Sequence, residues 1–188
     1  MDSKKPRIFD INWLYAKYYG DNLQLRRIVT IHSEMVAKKA LEIAKQKNLP
    51  LDPIDIYCAA MLHDIGVVKC KAPDIFAFGD HHYILHGLEG KKILERHGLY
   101  KYAGVCLSHT GAGLTKKDII KNNFPLPHVN MLPESLLEKL ICYADKFYSK
   151  SGNLTHEKNI DEIKQQMKKY GEDSLARFLE LDSLFSSV

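Results

Sequence analysis

The chain has 188 residues, of which 45% are hydrophobic and 27% charged, with a formal net charge of +4 at pH 7. That length and balance fit one soluble globular domain. The positive charge is spread along the sequence and not gathered in a basic tail, which favours small anionic ligands and gives nucleic acid no local motif.

Residues 1–22 begin polar and turn aromatic through Phe9, Trp13, Tyr15, Tyr18 and Tyr19, predicting a short helix packed across the main body. Gly20-Asp21-Asn22 breaks it. From residue 23 to 47, Leu25, Ile28, Val29, His32, Met35, Val36, Ala40 and Ile43 recur at three-four spacing, the mark of an amphipathic helix. His32 lies inside that apolar stripe. Asp52-Pro53 suits the start of the next helix, because Asp can cap and Pro fits the first turn. That helix runs through Ile54, Tyr57, Cys58, Met61 and Leu62 to His63-Asp64, and Gly66 ends it or opens a tight exit. Neighbouring helical side chains lie about 100° apart, so His63 and Asp64 can flank an ion but cannot encircle it.

Residues 67–85 are less regular and predict a loop or short helix forming a rim, with Lys69, Phe76, Phe78 and Tyr83. His86-Gly87 opens a helix that continues to about His97. A short apolar helix then delivers His109 before the turn Thr110-Gly111-Ala112-Gly113, which lacks the Gly-Lys-Ser/Thr ending of a Walker loop. The prolines at 125 and 127 require an irregular connection. Pro133-Glu134-Ser135 starts a helix whose apolar face, Leu136, Leu137, Leu140, Ile141, Ala144 and Tyr148, contains the carboxylate of Asp145. Two polar-apolar segments follow at 155–170 and 174–186, the last docking through Leu175, Phe178, Leu179, Leu181, Leu184 and Phe185. No alternation for a large sheet appears, so the expected fold is all-α. The expected organisation is an aromatic-rich segment at 1–22 packed on the core, a catalytic domain at 23–152, and a helical extension of the same domain at 153–188.

Cysteines stand at 58, 70, 106 and 142 without a Cys-x-x-Cys pair, and no secretory leader is apparent, so free thiols in the cytoplasm are expected. No apolar run approaches the roughly 20 residues needed to span a bilayer.

His32, His63, Asp64, His86, His109 and Asp145 share one anomaly: metal-capable groups beside apolar helical segments. One such histidine alone reads as a satisfied core residue. Six, from five places in the chain, point to a metal centre, since buried carboxylates need a partner.

The order of His32-Ser33, His63-Asp64-Ile65-Gly66 and Tyr143-Ala144-Asp145-Lys146 resembles the HD superfamily of metal-dependent phosphohydrolases over roughly residues 25–150. His86-Gly87 and His109-Thr110 resemble the additional histidines of its binuclear branch. Val67-Val68-Lys69 stands where the cyclic dinucleotide phosphodiesterases carry Gly-Tyr-Pro, a departure from that group. The resemblance implies an HD-like helical bundle with irregular loops over a central metal site. His32, His63, Asp64 and Asp145 would hold one ion, and Asp64 would bridge to a second held by His86 and His109. The implied cofactors are two divalent or mixed-valence transition-metal ions, iron or manganese by preference. Asp64, Lys69 and Thr110 are the candidate catalytic residues. Lys69, His82, Thr110 and Lys146 are the candidate substrate contacts; His82 rivals His86, one helical turn away. The implied activity is hydrolysis of a phosphoester or phosphoanhydride in a nucleotide-like small molecule by metal-activated water. The expected partner is a phosphorylated small molecule, with no nucleic acid and no membrane; oligomeric state stays open. A diiron oxygenase of the same fold and a non-catalytic helical regulatory module are the alternatives.

Overall fold

The helices form where apolar stripes begin at a side chain able to cap them. In this computed structural model, which describes residues 10–186, nine α-helices and one two-stranded ribbon account for the regular structure among the described residues. α1 (Ile11–Tyr19) starts where the Asp10 carboxylate accepts from the Asn12 backbone N–H at 2.8 Å. α2 (Leu23–Gln46) is capped by Asn22 and buries Leu25, Val29, His32, Val36, Ala40 and Ile43 along the predicted stripe. α3 (Pro53–Leu62) has Asp52 as its cap and proline in its first turn. α4 (His86–Arg96) and α5 (Tyr100–Ser108) follow, then α6 (Lys116–Lys121). α7 (Leu136–Asp145) and α8 (Ile160–Lys169) each open on a capping box, Ser135 with Glu138 and Asn159 with Glu162. α9 (Glu172–Phe185) closes the described chain.

The core lies between α2, α3, α5 and α7. Val36, Ala40, Ala59, Leu62, Val105, Cys106, Leu140, Ile141 and Ala144 fill it. The small residues among them let helix backbones approach closely. All four cysteines are buried free thiols. Among the described residues no helix is long and apolar enough to cross a membrane.

Two departures from the sequence reading bear on the site. α3 stops at Leu62, so His63 is its C-cap and Asp64 sits in the following turn at φ −104°, ψ 8°. The pair is therefore not on a continuous helix, and the turn lets both side chains aim at one centre. Residues 65–85 form short 3-10 turns and the ribbon β1 (Lys71–Ala72) with β2 (Ala77–Phe78), antiparallel, Lys71 opposite Phe78. Strands of two residues are too short to leave a period in the sequence. Phe9, assigned to the aromatic segment, lies outside the described residues.

The last helix is joined to the core through aromatic packing. Phe178 is fully buried, with its ring 5.7 Å from that of Tyr143 and nearly parallel to it, and the Tyr143 hydroxyl donates to Asp182 at 2.8 Å. Phe178→Ala is expected to lower unfolding free energy by about 3–5 kcal/mol. Urea denaturation followed by far-UV circular dichroism measures this; a loss under about 1 kcal/mol would mean that α9 folds apart from the core.

Candidate metal centre

Each of three histidines is oriented by the backbone of its own helix end. His63 Nδ1 donates to the Ala60 carbonyl at 2.6 Å, His86 Nδ1 to the Tyr83 carbonyl at 2.8 Å, and His109 Nδ1 to the Cys106 carbonyl at 2.8 Å. A carbonyl can only accept, so Nδ1 carries a hydrogen, and in the neutral ring Nε2 presents a lone pair. His32 brings its Nε2 in from the middle of α2.

These lone pairs converge on Asp64. His32 Nε2 lies 3.3 Å from His63 Nε2 and 2.9 Å from Asp145 Oδ1. Asp64 Oδ2 is 3.1 Å from His63 Nε2 and 3.3 Å from His32 Nε2. Its other oxygen, Oδ1, is 3.4 Å from His109 Nε2 and 3.6 Å from His86 Nε2. The donors form two groups, His32-His63-Asp64-Asp145 and Asp64-His86-His109, with the ligand atoms of each within 4.8 Å of one another. Asp64 belongs to both, one oxygen facing each.

The donor set fits transition-metal ions. His86 and His109 bring their Nε2 atoms to 2.9 Å, and both Nδ1 positions already hold the ring proton, so no hydrogen stands between them. A cation satisfies both lone pairs. Asp64 is fully buried, and its Oδ1 has no hydrogen-bond partner among the described residues. Imidazole with carboxylate suits iron, manganese, cobalt or zinc rather than calcium.

The electrostatics agree. Burial would raise the Asp64 carboxyl, but the charges of His63 and Lys150 outweigh it and hold the pKa well below the usual range. Burial likewise opposes ionisation of Asp145, and Lys146, with hydrogen bonds from His32 and His63, overcomes it. Burial and then the neighbouring His109 bring His86 down to about 3, and burial lowers His109 as well, so both stay neutral and able to bind metal. Burial also works against a charged His63, yet the Asp64 and Asp145 carboxylates push it up to about 9. Proton and metal ion thus compete for the same place.

Two lysines complete the floor. Lys150 Nζ donates to Asp64 Oδ2 at 2.6 Å. Lys146 Nζ donates to Asp145 Oδ2 at 2.7 Å and to the His109 carbonyl at 2.9 Å. Above them opens a cavity of about 540 Å³, reached by His86, His109, Thr110, Asp145, Lys146 and Lys150. Tyr83 stacks on the His86 ring with centroids 4.8 Å apart.

Among the sequence candidates, His32, His63, Asp64, His86, His109 and Asp145 come together, and Thr110 and Lys146 face the cavity. Lys69 and His82 do not. Lys69 is exposed at the end of a 3-10 turn that sends the buried Cys70 inward instead. His82 is exposed and accepts from the Ile84 backbone N–H at 3.2 Å, capping the turn before α4. Lys150 was missed by the sequence reading. It lies after α7 ends, where no periodicity signals an inward direction.

Helical core, histidine-aspartate turn and distant aspartate define an HD domain. The HD domain family matches residues 29–149, and the chain belongs to that family. The chain is 27% identical over 158 residues to the tRNA (cytidine(56)-2'-O)-methyltransferase of Thermoplasma volcanium, covering 84% of this chain and 41% of that protein. It is 28% identical over 166 residues to the enzyme of the same name from Picrophilus torridus, covering 86% of this chain and 42% of that protein. It is also 33% identical over 121 residues to the uncharacterized protein MJ0778 of Methanocaldococcus jannaschii, covering 62% of this chain and 64% of that protein. The chain therefore spans less than half the length of the two methyltransferases. No solved structure matches it.

These relatives correct two expectations. The sequence reading pointed to a phosphohydrolase of a nucleotide-like small molecule, whereas the relatives matched over most of the chain are named as methyltransferases. It also expected no nucleic acid, whereas both names specify tRNA. Membership of the HD family identifies a scaffold with clustered metal-capable side chains, not the molecule acted upon.

Proposed function

We propose that the chain serves tRNA modification as a metal-dependent HD domain that holds RNA over a transition-metal centre. The observation that carries this reading is the similarity, over 84% and 86% of the chain, to two enzymes named for 2'-O-methylation of tRNA. The basic cavity above the six ligands is consistent with it. His32, His63, Asp64 and Asp145 would hold one ion and Asp64, His86 and His109 a second, with iron or manganese favoured by the mixed donors. Ions there would supply Lewis acidity to an oxygen of the RNA ligand. Lys150 and Lys146 balance the two ligand carboxylates, while the Thr110 hydroxyl can orient a phosphate or ribose oxygen at the cavity floor. Burial of the ligand set excludes bulk water and strengthens each of these interactions.

Fluorescence anisotropy with a labelled tRNA transcript tests the reading. Binding should survive excess duplex DNA competitor and weaken with salt, log K falling by about 0.7–0.9 per decade of salt for each phosphate neutralised. Equal affinity for tRNA and duplex DNA would refute it. Transfer of labelled methyl from S-adenosylmethionine to cytidine 56 of the same transcript would assign the transfer step to this chain. Binding without transfer would confine its role to holding RNA.

A further inference from the structure

One wall of the cavity over the metal ligands comes from residues beyond 149, outside the stretch matched by the HD family. Lys150, Lys158, Gln166 and Arg177 all reach it from there. Three of the cavity's cations already have anionic partners. Lys150 pairs with Asp64 and Lys146 with Asp145. Arg177 pairs with Asp118 at 2.8 Å and also donates to the Gly113 carbonyl at 3.1 Å.

Of the two that have no ion pair among the described residues, Lys169 is exposed and Lys158 is half-buried. Lys158 donates through Nζ to the neutral amide oxygen of Gln166 at 3.1 Å. Its backbone is fixed, because its N–H donates to the Phe147 carbonyl at 2.8 Å and the next residue, Asn159, caps α8. Burial holds its pKa below the usual lysine value, and Lys146 and Lys150 press the same way against the opposing pull of Asp145. A half-buried ammonium hydrogen-bonded to a neutral amide and in no ion pair among the described residues is an unfavourable arrangement until an anion arrives.

We propose that Lys158, held by the Gln166 amide, forms with Lys150 of the same cavity a phosphate-binding subsite in the wall contributed from beyond the family's matched stretch. It would hold a phosphate of the ligand while a neighbouring oxygen reaches the metal centre. At about 540 Å³ the cavity lies within the range of small-ligand pockets, so it admits a nucleotide-sized segment and not a duplex. The inference deepens the RNA reading and rests on it only for the polymer; capture of phosphate requires no metal. The phosphate can belong to an RNA chain or to a free nucleotide.

Calorimetric titration of the full chain, both chelator-stripped and manganese-loaded, separates these cases. The probes are inorganic phosphate, 5'-CMP and a tRNA transcript. Lys158→Gln is expected to weaken each bound probe about tenfold in both metal states, the loss of one charge-assisted hydrogen bond. Lys158→Arg should retain most of the affinity, and bound metal per chain should not change in either variant. Unchanged affinities in Lys158→Gln would overturn the subsite, as would a loss accompanied by falling metal content that Lys158→Arg does not restore. If 5'-CMP binding depends on Lys158 while tRNA does not bind the wild type, the subsite stands for a free nucleotide and the RNA reading fails. If tRNA binds and every affinity survives Lys158→Gln, the subsite fails alone.

Discussion

Asp64→Asn is expected to empty the metal centre. Asp64 is the one side chain common to both ligand groups, with Oδ2 facing His32 and His63 and Oδ1 facing His86 and His109. Asparagine keeps the shape but removes the negative charge and replaces one oxygen with a nitrogen that has no lone pair to offer. Disturbing even an outer partner of a metal ligand commonly costs 10–100-fold in affinity, so loss of a shared ligand should leave less than about a tenth of the bound metal after equal chelator challenge. Inductively coupled plasma mass spectrometry on the wild type and variant gives the ratio. Thermal unfolding gives an independent readout, since an ion that binds only the folded state stabilises it by mass action. The wild-type midpoint should rise on adding manganese, and that of Asp64→Asn should stay still. Equal metal content in the two proteins would refute the shared-carboxylate arrangement. The lysine requires its own control. Asp64→Asn strips Lys150 of its carboxylate, and a buried charge left without its partner is costly. Lys150→Met in the same background separates that loss from the loss of metal.

What could be read from the residues depended on whether a signal was local. His32 and Asp145 were visible because each interrupts an apolar stripe at helical spacing, and such an interruption needs a partner. The all-α class followed from long three-four periods and the lack of alternation. His86 and His109 were marked by their place at helix ends beside glycines and by likeness to a family. Lys150 carried no comparable mark: α7 ends at Asp145, and the turn that brings the ammonium back to Asp64 is set by packing across 86 residues of sequence. Lys69 misled for the opposite reason. Nearness to His63-Asp64 in sequence suggested nearness in space, but the 3-10 segment rotates it outward. The likeness to proteins named as tRNA methyltransferases left no local trace either, because the net charge is small and spread along the chain.

Gly66→Ala should be the most destabilising single-methyl change in the site. Gly66 lies in the buried turn after Asp64, packed against the start of α4. A Cβ placed there would sit 2.0 Å from the His86 carbonyl oxygen and 2.2 Å from the Gly90 backbone nitrogen. Both obstacles are backbone, so no side-chain rotation relieves them, and the turn and α4 would have to part. His86 belongs to α4, so the same displacement carries a metal ligand away from Asp64. Overpacking of a well-filled core costs typically 1–3 kcal/mol and occasionally more; with these unrelieved backbone clashes the loss should reach at least about 3 kcal/mol. Gly98→Ala is the fitting comparison. At Gly98 the backbone is left-handed, φ +70°, but no atom stands within 4 Å of an added Cβ, so only conformational strain of about 1–2 kcal/mol is expected. Urea unfolding of the two variants, each with and without manganese, should show Gly66→Ala less stable and also blunted in its response to metal, while Gly98→Ala keeps the full response. If both lose the same stability and respond alike, the turn after Asp64 does not need glycine for its approach to α4, and the close contact that sets His86 against the shared carboxylate is not what holds the two metal-ligand groups together.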